Sequence, residues 1–333
     1  LAPKYKEAGI NVFVGLPAGP TQSQLDILRE NGMRAIVTQN KQGLKYKDDP
    51  VIMGWIQKDE PDNAQKQQDG SWGRPVDPAD IIDKYIEMMG NDPSRPVLLN
   101  LGAAVADEKS KNRGAGADRN DYYGYVKGAD IISFDIYPMA YNGADNMWYV
   151  AKGVDQLYTW ADDDKIIWNV IEASNISSPD RKVTPDQLQS QVWMSIIHGS
   201  KGITYFTYSF YPATVPGYLL SDPPLLEAVT EVNNRIHSMA PILNSPNKNE
   251  LAAVTSSRED VPISYMVKEY EGSIYIFSVC MRNDSTGGSF EIAGVNKDCQ
   301  VEVLYEGRTL NAEKGKFTDS FSPYGVHIYK INR

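Results

Sequence analysis

The sequence has little cysteine and histidine: two cysteines and three histidines among 333 residues. A disulfide-stapled scaffold is therefore excluded as the main architecture. The cysteines, Cys280 and Cys299, and the histidines, His198, His237 and His327, have the wrong spacing for a metal site. Cys280 and Cys299 sit in strand-like runs and read either as buried free thiols or as a cross-strand disulfide that secretion would permit. No apolar run approaches the ~20 residues that cross a bilayer. Positive charge is in deficit, with 33 Lys and Arg against 43 Asp and Glu and a net charge of −10. That argues against nucleic acid as a partner, because phosphate binding needs a concentrated basic face. No Gly-rich phosphate turn follows any apolar run, so the dinucleotide fingerprint is missing too. There is no internal repeat and no low-complexity tract. What remains is an ordinary globular composition, 41% hydrophobic and 23% charged. Its acidic surface suits a neutral or cationic ligand.

Short apolar runs alternate with helix-period segments. The strand candidates are "NVFVG" (11–15), "RAIVTQ" (34–39), "IMGWIQ" (52–57), "PVLLNL" (96–101), "IISFDIY" (131–137), "KIIWNVIE" (165–172) and "ITYFTY" (203–208). They lack clean alternation, as expected of parallel strands covered on both faces. The helices between them carry start signals: Thr21 with Gln24, Asp77-Pro78, Thr184-Pro185 with Gln187, and Asp222-Pro223. Repeated strand–helix units predict a parallel α/β fold. Seven strands precede residue 245, whereas a closed (β/α)8 barrel has eight. The chain opens at Leu1 in "LAPKYKEAGI", which reads as a helix ending at Gly9. The expectation is a trimmed chain, secreted or periplasmic, with barrel strand 1 upstream of Leu1. "NVFVG" is then strand 2 and "ITYFTY" strand 8. An open doubly wound sheet is the alternative. The long polar segments 61–77, 102–120, 138–153 and 173–184 follow strands, as the functional rim of a barrel does.

Past "APILNSPNKN" (240–249) the period changes to two, in "AAVTSS", "ISYMVKEY", "SIYIFSVCM", "SFEIAG", "QVEVLYEG" and "YGVHIYKI". Turn residues such as Asn283-Asp284 and Gly287-Gly288 separate the runs. This predicts a catalytic barrel over residues 1–245 and a small antiparallel β-sandwich over 250–333, the latter a structural appendage.

Two carboxylates stand out by position. Glu60 follows strand 4 in "GWIQKDEPDN", and Glu172 ends strand 7 in "IIWNVIEAS". A glutamate closing so apolar a run is costly to desolvate unless it has partners or a task. Either residue alone also reads as a rim glutamate in a salt bridge. Both lie at C-terminal strand ends, three strands apart, so both can point into one mouth. Two carboxyls roughly 5–5.5 Å apart can cleave an acetal, one protonating the leaving oxygen while the other attacks the anomeric carbon. That chemistry needs no metal and no cofactor.

The arrangement resembles the retaining glycoside hydrolases of clan A, with (β/α)8 barrels and catalytic glutamates after strands 4 and 7. The resemblance implies Glu60 as acid/base and Glu172 as nucleophile. "ADIISFDIYPM" is similar to strand 6 of such enzymes, where a tyrosine often hydrogen-bonds the nucleophile, and Tyr137 matches that slot. "VWMSIIHGSKGITYFTYSF" is similar to their last helix and strand 8, and "FSPYGVHIYKI" to the end of their C-terminal sandwich. One departure is Asp59, where the clan usually has an asparagine that binds the sugar 2-hydroxyl. A carboxylate can accept that bond, and like-charge repulsion raises the pKa of Glu60 if the two side chains face each other.

Asn40, Gln57, Asn100, Asp135 and Tyr137, at or near strand ends, suit sugar hydroxyls, though each serves equally as a structural hydrogen bond. Tyr208, Trp72 and Trp148 offer stacking faces. Trp55 is ambiguous, Trp168 and Trp193 read as packing, and His198 as structural. The expected partner is an oligo- or polysaccharide. Two other readings stand beside the hydrolase: a non-catalytic carbohydrate-binding protein on the same scaffold, and a metal-dependent barrel lyase or isomerase with Glu60, Asp135 and Glu172 holding Mg²⁺.

Overall fold

The structure, a computed structural model, describes residues 1–110, 116–162 and 164–332. A short helix α1 (Ala2–Glu7) leads into β1 (Val12–Val14). There follow α2 (Gln22–Glu30), β2 (Arg34–Thr38), α3 (Lys41–Lys45), β3 (Ile52–Ile56), α4 (Pro78–Asn91), β4 (Val97–Leu101) and α5 (Tyr122–Tyr125). Then come β5 (Ile131–Phe134), α6 (Tyr149–Trp160), β6 (Ile166–Glu172), α7 (Pro185–Ile197), β7 (Gly202–Phe206) and α8 (Pro223–Ser238).

The caps read from sequence are in place. Thr21 and Gln24 exchange side-chain and backbone bonds at the start of α2, and Thr184 and Gln187 do the same at α7. Asp77 and Asp222 cap α4 and α8. Each such cap contributes about 1 kcal/mol.

The seven strands form one sheet in the order β1 to β7, every neighbouring pair parallel. The sheet curls into a nearly closed barrel. Its two edges, β1 and β7, are only half-buried, whereas β4 and β5 are buried almost throughout. Because the strands are parallel, the segments after β3 to β7 all emerge at one end. The segments read from sequence as strands 4 and 7 are β3 and β6, three strands apart in the sheet.

Period-two alternation splits each strand between two environments. Leu99, Leu101, Ile132, Phe134, Ile167 and Ile171 join the large core beneath the helices. Ile36, Leu98 and Ile131 form a small separate cluster, with Trp168 packed on it, inside the curl. Gly153 lets α6 lie against β5, since a Cβ there would sit 2.1 Å from the Phe134 ring. Among the described residues no helix is long and apolar enough to cross a membrane.

A short helix α9 (Ala240–Leu243) and a linker lead to the C-terminal sandwich. Its strands are β8 (Ala252–Ser256), β9 (Ile263–Tyr270), β10 (Ser273–Cys280), β11 (Thr286–Ile292), β12 (Cys299–Val303), β13 (Arg308–Ala312), β14 (Lys316–Phe321) and β15 (Val326–Asn332). One sheet runs β13-β12-β15-β10-β9, the other β14-β11-β8. Two of these, β13 and β14, carry no strong apolar alternation, and the sequence reading passed over them.

Gly287 and Gly288, expected in a turn, lie inside β11. A Cβ on Gly288 would come within 2.9 Å of both Phe290 and Phe321, so the glycine makes room for the aromatic core. Cys280 and Cys299 are free thiols, on strands separated by β15.

The sandwich packs on the barrel through α7. The Trp193 and Phe277 rings stack at 5.8 Å, and Ser190 Oγ donates to Tyr324 O at 2.9 Å. Met266, Phe277 and Ile328 belong to the same buried cluster as the barrel helices.

Candidate active site

Beyond β3 the chain turns sharply. Glu60 N–H donates to Asn100 O at 2.9 Å, and Glu60 O accepts from Asn63 N–H at 3.2 Å and Gln65 Nε2 at 3.1 Å. These bonds hold Glu60 at φ 42°, left-handed backbone that non-glycine residues seldom adopt. Its side chain is 6% exposed. Two residues on, Asp62 is fully buried, with both carboxylate oxygens on Gly102 N–H (2.9 and 3.1 Å) and Oδ2 on the Tyr122 hydroxyl (2.8 Å). Burial pushes the Asp62 carboxyl up to about 6 against these bonds, and the charge of Glu60 adds to the rise.

Register explains the next group. Asn100 pairs with Ser133, and residues 133, 135 and 137 share one face of the chain leaving β5. Asn100 Oδ1 accepts from Ser133 Oγ at 2.8 Å, and its Nδ2 lies 3.0 Å from Asp135 Oδ1 and 3.1 Å from Asp59 Oδ1. Asp135 is buried, which raises its carboxyl well above the usual range. The charges of Glu60 and Asp59 raise it further, while bonds from Tyr137 and Asn100 oppose. The Tyr137 hydroxyl thus bonds Asp135, not the slot on Glu172 that the sequence reading gave it, because period two sets 135 and 137 side by side.

Glu172 closes β6 at 1% exposure. Oε1 accepts from Met139 N–H (2.9 Å) and Gln191 Nε2 (3.0 Å), and Oε2 from Ala140 N–H (3.3 Å). Burial lifts its carboxyl to about 7, and the three N–H donors hold back part of that rise. The turn at Pro138–Asn142 supplies two of these donors. Among the described residues no group of three or more His, Cys, Asp or Glu could hold a metal ion. Glu60, Asp135 and Glu172 form no such set.

Several expected contacts lie elsewhere. Asn40 is the N-cap of α3, its Oδ1 accepting from Gly43 N–H at 2.8 Å. Gln57 bonds Ile81 O, Gly128 O and Lys58 N–H, so its buried amide serves the seam between β3 and α4. Trp55, two residues before it, shares that face and donates to Asp92. Trp148 lies under Arg282 of the sandwich, 4.3 Å from its guanidinium, and so belongs to the domain junction. His198 caps α7 against Asp155. Trp72 stays half-exposed, at 50%, on a hairpin bridged at Lys66 and Trp72.

The rim after β7 is aromatic. The Phe206 ring lies 5.0 Å from Tyr137, 6.1 Å from Tyr208 and 5.9 Å from Phe210. Phe210 and Tyr211 remain well exposed. Their loop is firmly held: Ser209 is buried and pairs with Val215 in both directions, and Phe210 N–H donates to Asn175 O. The sequence reading stopped at Tyr208 and missed Phe206 and Phe210, although the alternation in "YFTYSFYP" signals them. It also missed Asp62 and Gln191. The second acid of "DEPD" hints at Asp62, but nothing local marks Gln191.

No protein-family model and no curated protein matches the sequence. Solved structures do. A catalytic mutant of Gan42B, a GH42 β-galactosidase from G. stearothermophilus, matches with TM-score 0.61 and 10% identity over 100% of this chain and 95% of that one. AmyP in complex with maltotriose matches with TM-score 0.58 and 9% identity over 99% and 89%. A GH30 endoxylanase from Clostridium papyrosolvens matches with TM-score 0.51 and 10% identity over 100% and 92%. At such identities the likeness is one of fold: a (β/α)8-type barrel followed by a β-sandwich.

Proposed function

We propose that the chain is a retaining glycoside hydrolase of the clan A type, acting on β-glycosidic bonds of an oligo- or polysaccharide. The observation that carries this reading is the placement of three buried carboxyls, Glu60, Asp135 and Glu172, at or just beyond the C-terminal ends of β3, β5 and β6, the end of the barrel that also carries the aromatic rim after β7. Glu60 protonates the leaving oxygen as the Glu172 carboxylate attacks the anomeric carbon. Water then cleaves the glycosyl ester, with Glu60 as base. The N–H donors on Glu172 favour the anion this step needs. Phe210, Tyr211 and Trp72 offer faces for further rings, which favours a polymeric substrate met outside the cytoplasm.

One observation favours a variant of this reading. The charge of Glu60 acts on Asp135, while burial and N–H donors set Glu172. Asp135 is then the carboxyl that works with Glu60.

A panel of β-glucans, galactans and mannans, with product stereochemistry read by NMR, tests the activity. Retention is expected, and a chelator should leave the rate unchanged. Labelling with a 2-deoxy-2-fluoro glycoside of the accepted sugar, followed by peptide mass spectrometry, identifies the nucleophile. Label on the Glu172 peptide supports the first assignment, and label on the Asp135 peptide the second. Glu172→Gln should abolish turnover while sparing sugar binding. Binding without any turnover by the wild type would leave a carbohydrate-binding protein. Inversion at the anomeric carbon would overturn the retaining mechanism.

A further inference from the structure

Between β6 and α7 runs a buried polar column. Asn169 Nδ2 donates to Ser195 Oγ at 2.8 Å, Ser195 Oγ to Gln191 O at 2.8 Å, and Gln191 Nε2 to Glu172 Oε1 at 3.0 Å. Asn169, Ser195 and Gln191 are fully buried, and Glu172 nearly so. Among the described residues Gln191 Oε1 has no hydrogen-bond partner, nor has Asn169 Oδ1. Leaving an amide oxygen unpaired in the core costs about 1–3 kcal/mol. A leucine at 191 would avoid that cost and pack as well, so packing alone does not account for a glutamine.

Its amide nitrogen differentiates the two oxygens of Glu172. Oε1 takes two short bonds, from Met139 N–H and Gln191 Nε2. Oε2 takes one long bond among the described residues, from Ala140 N–H. The oxygen with fewer donors keeps more electron density for attack. The charged surroundings do not supply this bias. The titratable groups on the packed elements include Asp135 and Tyr137 beyond β5, Tyr149, Lys152, Asp155 and Tyr158 on α6, Tyr205 on β7, Asp186 with His198 at the ends of α7, and Glu227, Glu231, Arg235 and His237 on α8. None of them shifts Glu172, which responds to burial and to its three N–H donors.

We infer that Gln191 is a positioning residue for Glu172: it clamps Oε1, favours the carboxylate form against the burial around it, and leaves Oε2 as the attacking oxygen. This rests on the reading of Glu172 as nucleophile. Gln191 touches no substrate and acts through the carboxylate alone.

The test is a carboxyl ¹³C NMR titration of the full chain, with the Glu172 signal assigned by its loss in Glu172→Gln. In Gln191→Met, which keeps length but removes the donor, the Glu172 midpoint should rise by roughly one pH unit, about tenfold in its proton affinity. Gln191→Asn, one methylene too short to reach, should give the same shift and serves if the methionine variant does not fold. On a glycan that the wild type hydrolyses, the acid limb of kcat/KM should move up by the same amount with KM nearly unchanged. An unmoved Glu172 midpoint in both variants would overturn the inference. The titration needs no turnover, so failure of the hydrolase reading, seen as no activity on the panel, is recorded separately from failure of the Gln191 clamp.

Discussion

Replacing Asp62 by asparagine separates the cost of a buried charge from the worth of the bonds it makes. The Asp62 carboxyl is fully buried, and its partners are Gly102 N–H and the Tyr122 hydroxyl, neither of them cationic. Its pKa rises from 3.8 to about 6, chiefly through desolvation. Between those values the folded chain keeps a proton that the unfolded chain has released. Stability therefore falls as pH rises through this window, and the cost is fully present above it. A gap of about 2 pH units corresponds to about 3 kcal/mol. Asparagine keeps the shape and one acceptor but cannot ionise. Its constant penalty, from a lost or reoriented bond, does not vary with pH. Urea unfolding of wild type and Asp62→Asn at intervals from pH 3.5 to 7.5 gives the stability difference at each pH. Groups that do not interact with Asp62 cancel in that difference. The variant should gain about 3 kcal/mol on the wild type between the ends of the range, most of it between pH 4 and 6. A difference flat within about 0.5 kcal/mol would mean that Asp62 carries no net desolvation cost, and would refute the reasoning.

Trp193→Ala removes the ring that stacks on Phe277 at the barrel–sandwich junction and should cost about 3–5 kcal/mol, read as a fall in calorimetric Tm. Gly153→Ala drives a methyl into the Phe134 ring and should destabilise by about 1–3 kcal/mol in urea, whereas alanine at Gly90, with open space around it, should not. Phe210→Ala should leave stability unchanged and weaken binding of a hydrolysed glycan by roughly five- to tenfold, measured calorimetrically on a Glu172→Gln background. Unchanged affinity there would remove Phe210 from the substrate path.

The strand–helix alternation was legible because each unit carries its own punctuation. Thr21 with Gln24 and Thr184 with Gln187 place helix starts to the residue. Facing was not legible, for a reason built into parallel sheets. Both faces of these strands are apolar, so the sequence contains no alternation from which to assign a side. Gln57 and Trp55 lie on the face of β3 that meets α4, and a polar residue near a strand end looks the same whichever way it points. Asn40 shows a second ambiguity, since an asparagine after a strand serves as readily as a helix cap as a sugar ligand. The role of Trp148 depends on where Arg282, far along the chain, is brought to rest, and no local pattern encodes that. Gly287-Gly288 was misread because a glycine pair ordinarily signals a turn, whereas here the absence of a side chain admits two phenylalanines.

Carboxyls at strand ends are legible in the sequence where their partners are not, for a related reason. An isolated acid closing an apolar run violates the pattern around it and is visible for that reason. Gln191 violates nothing: a glutamine within a helix is ordinary, and only its burial against Glu172 gives it meaning. Asp62 is an intermediate case, conspicuous beside Glu60 yet silent about Gly102 and Tyr122, some 40 and 60 positions away. Sequence thus exposes the groups that cost energy, and the fold supplies the groups that offset the cost. In this barrel the buried amides and backbone N–H groups that meet Glu60, Asp135 and Glu172 therefore weigh on which carboxyl holds a proton.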